Sequence, residues 1–313
     1  MNSTRLPLVV IAGPTASGKS ALALALAERN DGVVINADSA QVYRDLRTVT
    51  ARPSRKEEAR APHRLFGHVD AADTGYSAAR WADEARAAVT EVHAASKLPI
   101  LVGGTGLYLR TLLDGIAPVP PIHPDLRAAV RATPVADAHA QLASLDPAGA
   151  ALLHRNDTTR VHRALEVVRA TGQPITEWRA RREGGIGGRV RLAALVMLPP
   201  RPWLDARIAA RADQIVTDGA AEVAALLARA DVPPDAPARR AIGVPELARY
   251  VGDEIDRQVA TAALTLATRQ YAKRQYTWFG NQPPVGWQRT AATCPDTQVQ
   301  ELETLLANIY LTK

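Results

Sequence analysis

The sequence contains almost no cysteine, since Cys294 is the single one among 313 residues. One thiol can form neither an intramolecular disulfide nor a cysteine-based metal site, and this fits a reducing compartment such as the cytoplasm. Apolar runs of about 18 residues are also lacking, so no membrane-spanning helix is predicted. The segment 1–6 has no apolar stretch ending in small residues, and we therefore expect no signal peptide.

Acidic residues are fewer than basic ones: the sequence has 38 Lys and Arg but 32 Asp and Glu, which gives a net charge of +6. Such an excess is compatible with a polyanionic partner such as nucleic acid. Arginine-rich proteomes also produce basic chains, so charge alone leaves this question open. The hydrophobic share of 47% is ordinary for a globular protein of this length, and a sizeable buried core is expected.

Short apolar runs alternate with helical patterns in the first hundred residues. We predict strands at 8–11, 33–35 and 99–102, and helices at 21–28 and 76–95. The strands are continuously apolar, which is typical of a parallel sheet covered by helices on both faces. The predicted fold class is therefore α/β with a parallel sheet.

The pattern changes at a cluster of four prolines, which indicates a domain boundary. The sequence that follows is helical in pattern until a glycine-rich stretch at 184–188 closes the region. Another apolar strand is predicted at 190–198, and mostly helical sequence comes after it. We therefore predict a core formed by residues 1–119 and 189–313, with an α-helical insertion at 120–188.

A phosphate-binding motif follows the first predicted strand and opens a helix. Residues 13–20 read GPTASGKS and satisfy the pattern G-x-x-x-x-G-K-[ST] at each fixed position. The glycines let backbone N–H groups turn towards phosphate oxygens, and the helix N-terminus adds to the attraction. Lys19 would neutralise phosphate charge, and the Ser20 hydroxyl would ligate Mg²⁺. The predicted phosphate-binding residues are Gly13, Pro14, Thr15, Ala16, Ser17, Gly18, Lys19 and Ser20.

The third predicted strand lacks an acid at its end, where many ATPases and GTPases place an aspartate that holds the Mg²⁺ shell. Gly103, Gly104 and Thr105 stand there instead. In this half of the chain the acid at a strand end is Asp38, after the second strand. This arrangement favours transfer of a group to an acceptor over nucleotide hydrolysis.

Asp38 and Thr105 both follow strands, at the edge where open α/β sheets bind ligands. A carboxylate at position 38 could accept a proton from an attacking nucleophile, or it could cap a following helix. The Thr105 hydroxyl could donate to a developing negative charge, or it could cap a helix at 107–113. The local sequence leaves both alternatives open for each residue.

Together these segments resemble one family, the tRNA dimethylallyltransferases, also called tRNA isopentenylpyrophosphate transferases. The resemblance runs in order over nearly the whole chain, so it is far more specific than any single motif. The segments that carry it are GPTASGKS (13–20), NADSAQVYR (36–44), TARPS (50–54), APHRL (61–65), YSAARW (76–81), LVGGTGLYLRTLLDG (101–115), HPDLR (123–127), NDTTRVHRALEV (156–167) and TRQYAKRQYTWF (268–279).

Members of this family transfer a dimethylallyl group from its diphosphate to N6 of adenosine 37 in tRNAs that read codons beginning with U. The resemblance implies this reaction, with dimethylallyl diphosphate as donor, tRNA as partner and Mg²⁺ as cofactor. It also implies a nucleoside-kinase-like P-loop core and a helical insertion that grips the anticodon stem-loop. We expect a cytoplasmic monomer that does not associate with membranes.

The resemblance assigns roles to particular residues. Lys19 and the Mg²⁺ bound by Ser20 would hold the departing diphosphate. Asp38 would take the proton from the attacking amine, and Thr105 would assist the departure of the diphosphate.

Arg207 and Arg211 lie one helical turn apart and are similar to an arginine pair of the family. One of them is a candidate diphosphate ligand, unless both belong to a solvated basic face. The chain departs from the family where Val244 and Pro245 replace a tyrosine and a basic residue, and where Gly280-Asn281 replaces a stretch that is commonly basic. These departures bear on RNA contacts and leave the catalytic positions untouched.

An exocyclic amine in a stacked loop can be reached only when its base is flipped into the cavity at the sheet edge. Single-stranded loops are the usual object of sequence-specific RNA recognition. By resemblance, one set of residues would contact the tRNA, whereas the aromatic pair Trp278 and Phe279 is expected in the core. The set is Asp38, Ser39, Ala40, Gln41, Thr105, Arg127, Thr159, Arg160, Val161, His162, Arg163, Arg240, Arg269, Lys273 and Arg274.

Other classes of protein remain open at this point. A P-loop kinase of a small metabolite would use the same loop with ATP, but it needs neither the arginine-rich C-terminal half nor the segment NDTTRVHR (156–163). A prenyltransferase of free adenine nucleotides shares the core motifs but lacks the insertion. A non-catalytic RNA-binding protein is a third interpretation, although it would not require an intact P-loop together with Asp38 and Thr105.

Overall fold

The computed structural model describes residues 5–311. Most of the segment 1–6, on which the signal-peptide prediction rests, lies outside these residues. Within the described range, none of the helices combines the length and the apolar character that crossing a membrane requires. The chain forms two compact units: one consists of the residues up to Leu112 and those from Gly187 onward, and the other is Leu113–Ile186.

The first unit is built on a six-stranded sheet in which all strands are parallel. The order across the sheet is β3-β2-β4-β1-β5-β6, with the strands numbered along the chain. They are β1 (Leu6–Ala12), β2 (Gly32–Asn36), β3 (His63–Arg64), β4 (Leu98–Gly103), β5 (Val190–Met197) and β6 (Gln288–Thr290). Because β2 and β4 are buried along their whole length, the prediction of a parallel α/β fold from continuous apolar runs is confirmed.

Two of the strands, β3 and β6, are not predicted from the sequence. Both lie at edges of the sheet, and they are only two and three residues long. Short, polar edge strands pair on one side alone and need no apolar run. Periodicity therefore carries no signal for them.

The helices pack around this sheet and within the second unit. Leu26 of the first helix and Leu302 of the last share one core cluster with Val9 and Ile11 of β1. The helices are α1 (Lys19–Arg29), α2 (Arg55–Glu58), α3 (Ala78–Ala94), α4 (Gly106–Asp114), α5 (Pro124–Ala132), α6 (Val135–Leu145), α7 (Pro147–Ala151), α8 (Thr158–Thr171), α9 (Ile175–Ala180), α10 (Arg201–Ala228), α11 (Val244–Val251), α12 (Arg257–Asn281) and α13 (Pro295–Leu311).

The second unit consists mainly of the helices α5 to α9, and it has a hydrophobic core of its own. A buried carboxylate, Glu166, is 2% exposed and forms ion pairs with Arg131 (3.1 Å) and Arg163 (3.3 Å). A buried charge is tolerated when it is paired in this way. The core includes Val130, Leu142, Val161, Leu165 and Ile175.

Trp81 of α3 supports the end of β2, next to the candidate site. Its side chain is completely buried, and its indole N–H donates to the carbonyl oxygen of Asn36 at 2.9 Å. Trp81→Phe keeps an aromatic ring and removes this donor. We expect the free energy of unfolding to fall by about 1–3 kcal/mol, because a buried carbonyl loses its partner. Urea denaturation measures this change, and an unaltered midpoint would contradict the assigned role.

Candidate active site

A cavity of about 640 Å³ opens at the carboxyl ends of β1, β2 and β4 in the first unit. The phosphate loop, residues 13–20, follows β1 and contributes Lys19 and Ser20 to the lining. The segment 38–41 follows β2, and Thr105 follows β4, so the sheet order brings them to the same edge. Side chains of α10 and α12 complete the lining. Open parallel sheets bind their ligands at this edge.

The conformation of the phosphate loop requires its glycines. Gly13 has a φ of +148°, and a Cβ there would lie 2.4 Å from the carbonyl oxygen of Met197 on β5. Gly18 has a φ of +95° and stands directly before α1, which begins at Lys19. Both positions therefore exclude larger residues, and the loop delivers the chain into a helix N-terminus that favours anions.

Lys19 is the cation at the centre of the loop. Its Nζ donates to the carbonyl oxygen of Pro14 at 2.6 Å. Burial lowers the pKa of this ammonium to about 8; nearby Asp38 opposes the shift, and Arg211 adds to it. The side chain is thus charged at neutral pH, but its charge lies in a partly desolvated site where an anionic ligand would be strongly attracted.

Arg207 and Arg211 of α10 both reach the phosphate loop. Arg207 Nε donates to the carbonyl oxygen of Ala16, and an Arg211 terminal nitrogen donates to the Thr15 hydroxyl, each at 2.9 Å. Burial lowers the pKa of the Arg211 guanidinium, and the charge of Arg207 contributes. The structure therefore places this pair beside the loop, with Arg207 exposed and Arg211 half-buried.

Thr105 is linked to the segment that contains Asp38 by hydrogen bonds to Ser39, the next residue along the chain. The Thr105 hydroxyl accepts the Ser39 N–H at 2.9 Å and donates to the Ser39 hydroxyl at 3.2 Å. Asp38 Oδ1 accepts the Ala40 N–H at 3.0 Å, which closes a local turn. The helix after Asp38 is α2, which begins at Arg55, so this aspartate does not cap it. Through its two bonds to Ser39, the Thr105 hydroxyl holds the segment that follows β2.

Two side chains contributed by α10 and its C-terminal end hold the segment 45–50, part of which lines the cavity. The Glu222 carboxylate accepts both the backbone N–H and the hydroxyl of Thr48 at 2.8 Å. Arg229, immediately after α10, donates to Asp45 at 2.8 Å. The same helix thus contacts the phosphate loop near its start and the segment 45–50 near its end.

Four tyrosines in the cavity lining, Tyr43, Tyr76, Tyr108 and Tyr271, were not predicted as site residues. Burial raises the pKa of all four, so these phenols stay neutral. Tyr108 stacks on Trp81 with ring centroids 4.4 Å apart. Sequence reasoning also missed Gln275 of α12, whose carboxamide bonds to the phosphate loop. A single tyrosine or glutamine in a helix carries no local signal, because its role depends on distant parts of the chain.

Ser20, the predicted metal ligand, is exposed in the first turn of α1 and lines the cavity. Residues 5–311 contain no cluster of three or more His, Cys, Asp or Glu side chains that could hold a metal ion by themselves. Mg²⁺ commonly binds through one or two protein oxygens together with phosphate oxygens and waters. A hydroxyl that faces a phosphate-binding cavity fits that donor set.

The segment 38–41 lies in the cavity, as a base-reading segment must, but Gln41 is already engaged. Its side-chain amide donates to the carbonyl oxygens of Thr50 (3.0 Å) and Ala51 (3.1 Å). Arg240 is exposed and lines the same cavity. This geometry makes Gln41 a support of the 50–51 turn as well as a candidate RNA contact.

Two of the predicted RNA contacts in the second unit are corrected by the structure. Val161 is fully buried, and His162 is 8% exposed with its Nε2 at 2.9 Å from the carbonyl oxygen of Thr133. These side chains belong to the core of the unit and present nothing to a ligand. Other residues of the set lie on its surface: Arg127, Thr159 and Arg160 are exposed, and Arg163 is partly exposed.

The predicted cations of α12 are exposed. Arg269 forms an ion pair with Asp205 at 3.6 Å. The Arg274 guanidinium lies over the Tyr271 ring, 5.6 Å from its centroid, which is within the range of a cation–π contact. Lys273 and Arg274 line a second, shallower groove. Phe279 is completely buried, as expected for a core residue.

These features define a class of protein: an α/β protein with a P-loop motif, whose cavity is lined both by the loop and by the Asp38 carboxylate. The sequence model of the family described as IPP transferase matches residues 41–282. A tRNA dimethylallyltransferase of Sphingopyxis alaskensis is 55% identical over 308 residues, which cover 98% of this chain and 100% of that protein. One from Zymomonas mobilis is 47% identical, covering 90% of each chain.

Solved structures agree with the sequence relatives. The tRNA isopentenylpyrophosphate transferase of Bacillus halodurans is 33% identical with a TM-score of 0.69, covering 97% of this chain and 96% of that one. A eukaryotic dimethylallyltransferase, captured in crystallographic snapshots acting on tRNA, has a TM-score of 0.76 at 28% identity, covering 87% and 69%. The chain belongs to the IPP transferase family, and the resemblance found in its motifs is confirmed.

The pKa of Lys19 predicts how the binding of a diphosphate depends on pH. An ammonium is charged below its pKa, so affinity for an alkyl diphosphate should be highest below pH 8 and should fall as pH rises through about 8. We expect a loss of about tenfold between pH 7 and pH 9.5, measured by titration calorimetry.

Lys19→Arg provides the matched control, because a guanidinium stays charged over this range. Its affinity should be nearly independent of pH. An equal pH dependence in both proteins would assign the titration to another group.

Proposed function

We propose that this chain transfers the dimethylallyl group of dimethylallyl diphosphate to N6 of adenosine 37, next to the anticodon of tRNAs that read codons beginning with U. Membership of the IPP transferase family supports this reaction. The observation that carries the chemistry is that the phosphate loop and Asp38 line one cavity. A departing diphosphate and an attacking amine must meet in such a space.

The loop side of the cavity stabilises the leaving group. As the C–O bond of the donor breaks, the electron pair stays on the diphosphate oxygen, and its charge is met by Lys19, Arg207 and Arg211. These cations are already held at the loop by their own hydrogen bonds, so little reorganisation is needed when the charge develops. Mg²⁺ bound by the Ser20 hydroxyl would add further neutralisation of the diphosphate.

The acceptor side of the cavity removes a proton. The N6 nitrogen forms the new N–C bond and then loses a proton, which Asp38 accepts. Oδ1 of this carboxylate is engaged by the Ala40 N–H, and Oδ2 is the oxygen that we assign to the proton. Thr105 bonds to Ser39 next to this carboxylate and so holds the acceptor segment beside the phosphate loop.

We further propose that the tRNA is bound through exposed cations in both units. Arg127 and Arg160 are exposed in the second unit, and Arg240, Lys273 and Arg274 in the first. Such side chains neutralise backbone phosphates, which makes the affinity depend steeply on salt. The protein would act as a cytoplasmic monomer, in which one chain provides all of these groups.

The alternatives left open by the sequence receive less support. A kinase transfers phosphate, whereas the relatives are named for the transfer of a dimethylallyl group to tRNA. A prenyltransferase of free nucleotides would have no use for the exposed basic residues of the helical unit. The structural neighbour that was captured acting on tRNA covers 87% of this chain at a TM-score of 0.76.

The proposed reaction can be tested with labelled dimethylallyl diphosphate, Mg²⁺ and an anticodon stem-loop that carries three consecutive adenosines after the anticodon. We expect the label to appear on N6 of the first of these adenosines. A stem-loop with guanosine at that position is the control and should stay unlabelled. Labelling of free AMP with the RNA left untouched would contradict transfer to tRNA.

Asp38→Asn tests the role of the carboxylate as base. The variant keeps the size of the side chain and its acceptor oxygen for Ala40, but it loses the basic oxygen. We expect kcat to fall on the order of 10²–10⁴-fold, with RNA affinity retained. Asp83→Asn, at an exposed ion-paired position of α3, is the matched control. Full activity of the Asp38 variant would leave this residue with a role in the turn alone.

A further inference from the structure

Gln275 is a polar residue buried on the inner side of α12. It is 5% exposed, whereas its neighbours Lys273 and Arg274 are exposed. Its Oε1 accepts the backbone N–H of Thr15 at 2.8 Å, and its Nε2 donates to the carbonyl oxygen of Gly104 at 2.9 Å. Both ends of the carboxamide are therefore used, one on the phosphate loop and one on the turn after β4.

The Gln275 carboxamide packs tightly against Gly104 and leaves no room for a side chain there. A Cβ on Gly104 would lie 2.2 Å from Gln275 Nε2 and 3.3 Å from the carbonyl oxygen of Gly13. A side chain at position 104 would thus displace the carboxamide or the start of the phosphate loop. The close approach of Gln275 therefore requires a residue without a side chain at position 104.

The two segments that Gln275 joins are distant along the chain. Thr15 follows β1, and Gly104 follows β4. Because the two residues belong to different strand ends, the covalent chain alone does not fix the distance between them. Thr15 is held a second time, since Arg211 donates to its hydroxyl. The backbone N–H of Thr15 is occupied by Gln275, so the carboxamide determines where this part of the loop stands relative to Thr105.

We infer that Gln275 is a positioning residue, which sets the distance between the diphosphate held by the loop and the acceptor segment held by Thr105. The inference rests on the proposed function. Transfer requires the reacting carbon and nitrogen to be held close together and aligned, and a small misplacement of one substrate is costly. Gln275 contacts neither substrate in this assignment and acts through the backbone of the loop.

Gln275→Met and Gln275→Glu test this role. Methionine keeps the length of the side chain and fills the same space, but it forms neither bond. Glutamate keeps the acceptor for Thr15, loses the donor to Gly104 and adds a negative charge near the diphosphate. Gln258→Met is the matched control, because Gln258 is exposed near the start of the same helix.

The measurements are kcat, the affinity for inorganic diphosphate with Mg²⁺, the affinity for the anticodon stem-loop, and the thermal midpoint. For Gln275→Met we expect the diphosphate affinity and kcat each to fall about tenfold, with RNA affinity unchanged. Gln275→Glu should lose more diphosphate affinity than Gln275→Met. The control should match the wild-type protein in every measurement.

The outcomes separate the inference from the proposed function. If Gln275→Met binds diphosphate and turns over like the wild type, the carboxamide only fills space and the inference is overturned. A lower thermal midpoint with unchanged diphosphate affinity in both variants would also overturn it, because a merely structural role gives that result. If the wild type shows no transfer to RNA while diphosphate affinity still depends on Gln275, the proposed function fails and the positioning of the loop stands.

Discussion

The hydrogen bonds between the phosphate loop and two C-terminal helices are what the rest of the site depends on. Thr15 and Ala16 are bonded by Arg207, Arg211 and Gln275, which lie 191 to 260 residues further along the chain. A glycine-containing loop has much conformational freedom to lose, so contacts of this kind are needed to keep one conformation. The motif consists of eight residues near the start of the chain, but its conformation depends on side chains that lie about 200 residues or more further along.

The features that could be predicted from the sequence are those with a local signal. Continuous apolar runs predicted β1, β2, β4 and β5, and the spacing of Gly13, Gly18 and Lys19 predicted the phosphate loop. Val161 and His162 were predicted wrongly because a motif identifies a segment, whereas a helix turns about 100° with each residue. Thr159 and Arg160 of the same segment lie on the outside of the unit, and the next two residues lie in its core.

The roles of Asp38 and Thr105 could not be decided from the local sequence, for a different reason. Each residue could have been a helix cap, since the segment around it reads the same in either case. The late start of α2 excludes a cap for Asp38, and the Thr105 hydroxyl is bonded to Ser39, in the segment that follows the neighbouring strand β2. The second fact depends on β2 and β4 being adjacent in the sheet, and no pattern within either segment records this.

The helix α10 restricts where this chain could gain or lose residues. Arg211 and Glu222 lie eleven residues apart, which is close to three full turns or about 16 Å, so both point to the same side of the helix. Arg211 contacts the phosphate loop, and Glu222 contacts Thr48 in the segment 45–50. A single inserted residue between them would rotate one contact by about 100° away from the other. The number of residues between Arg211 and Glu222 therefore fixes the separation of these two contacts, and an insertion or deletion there would break one of them.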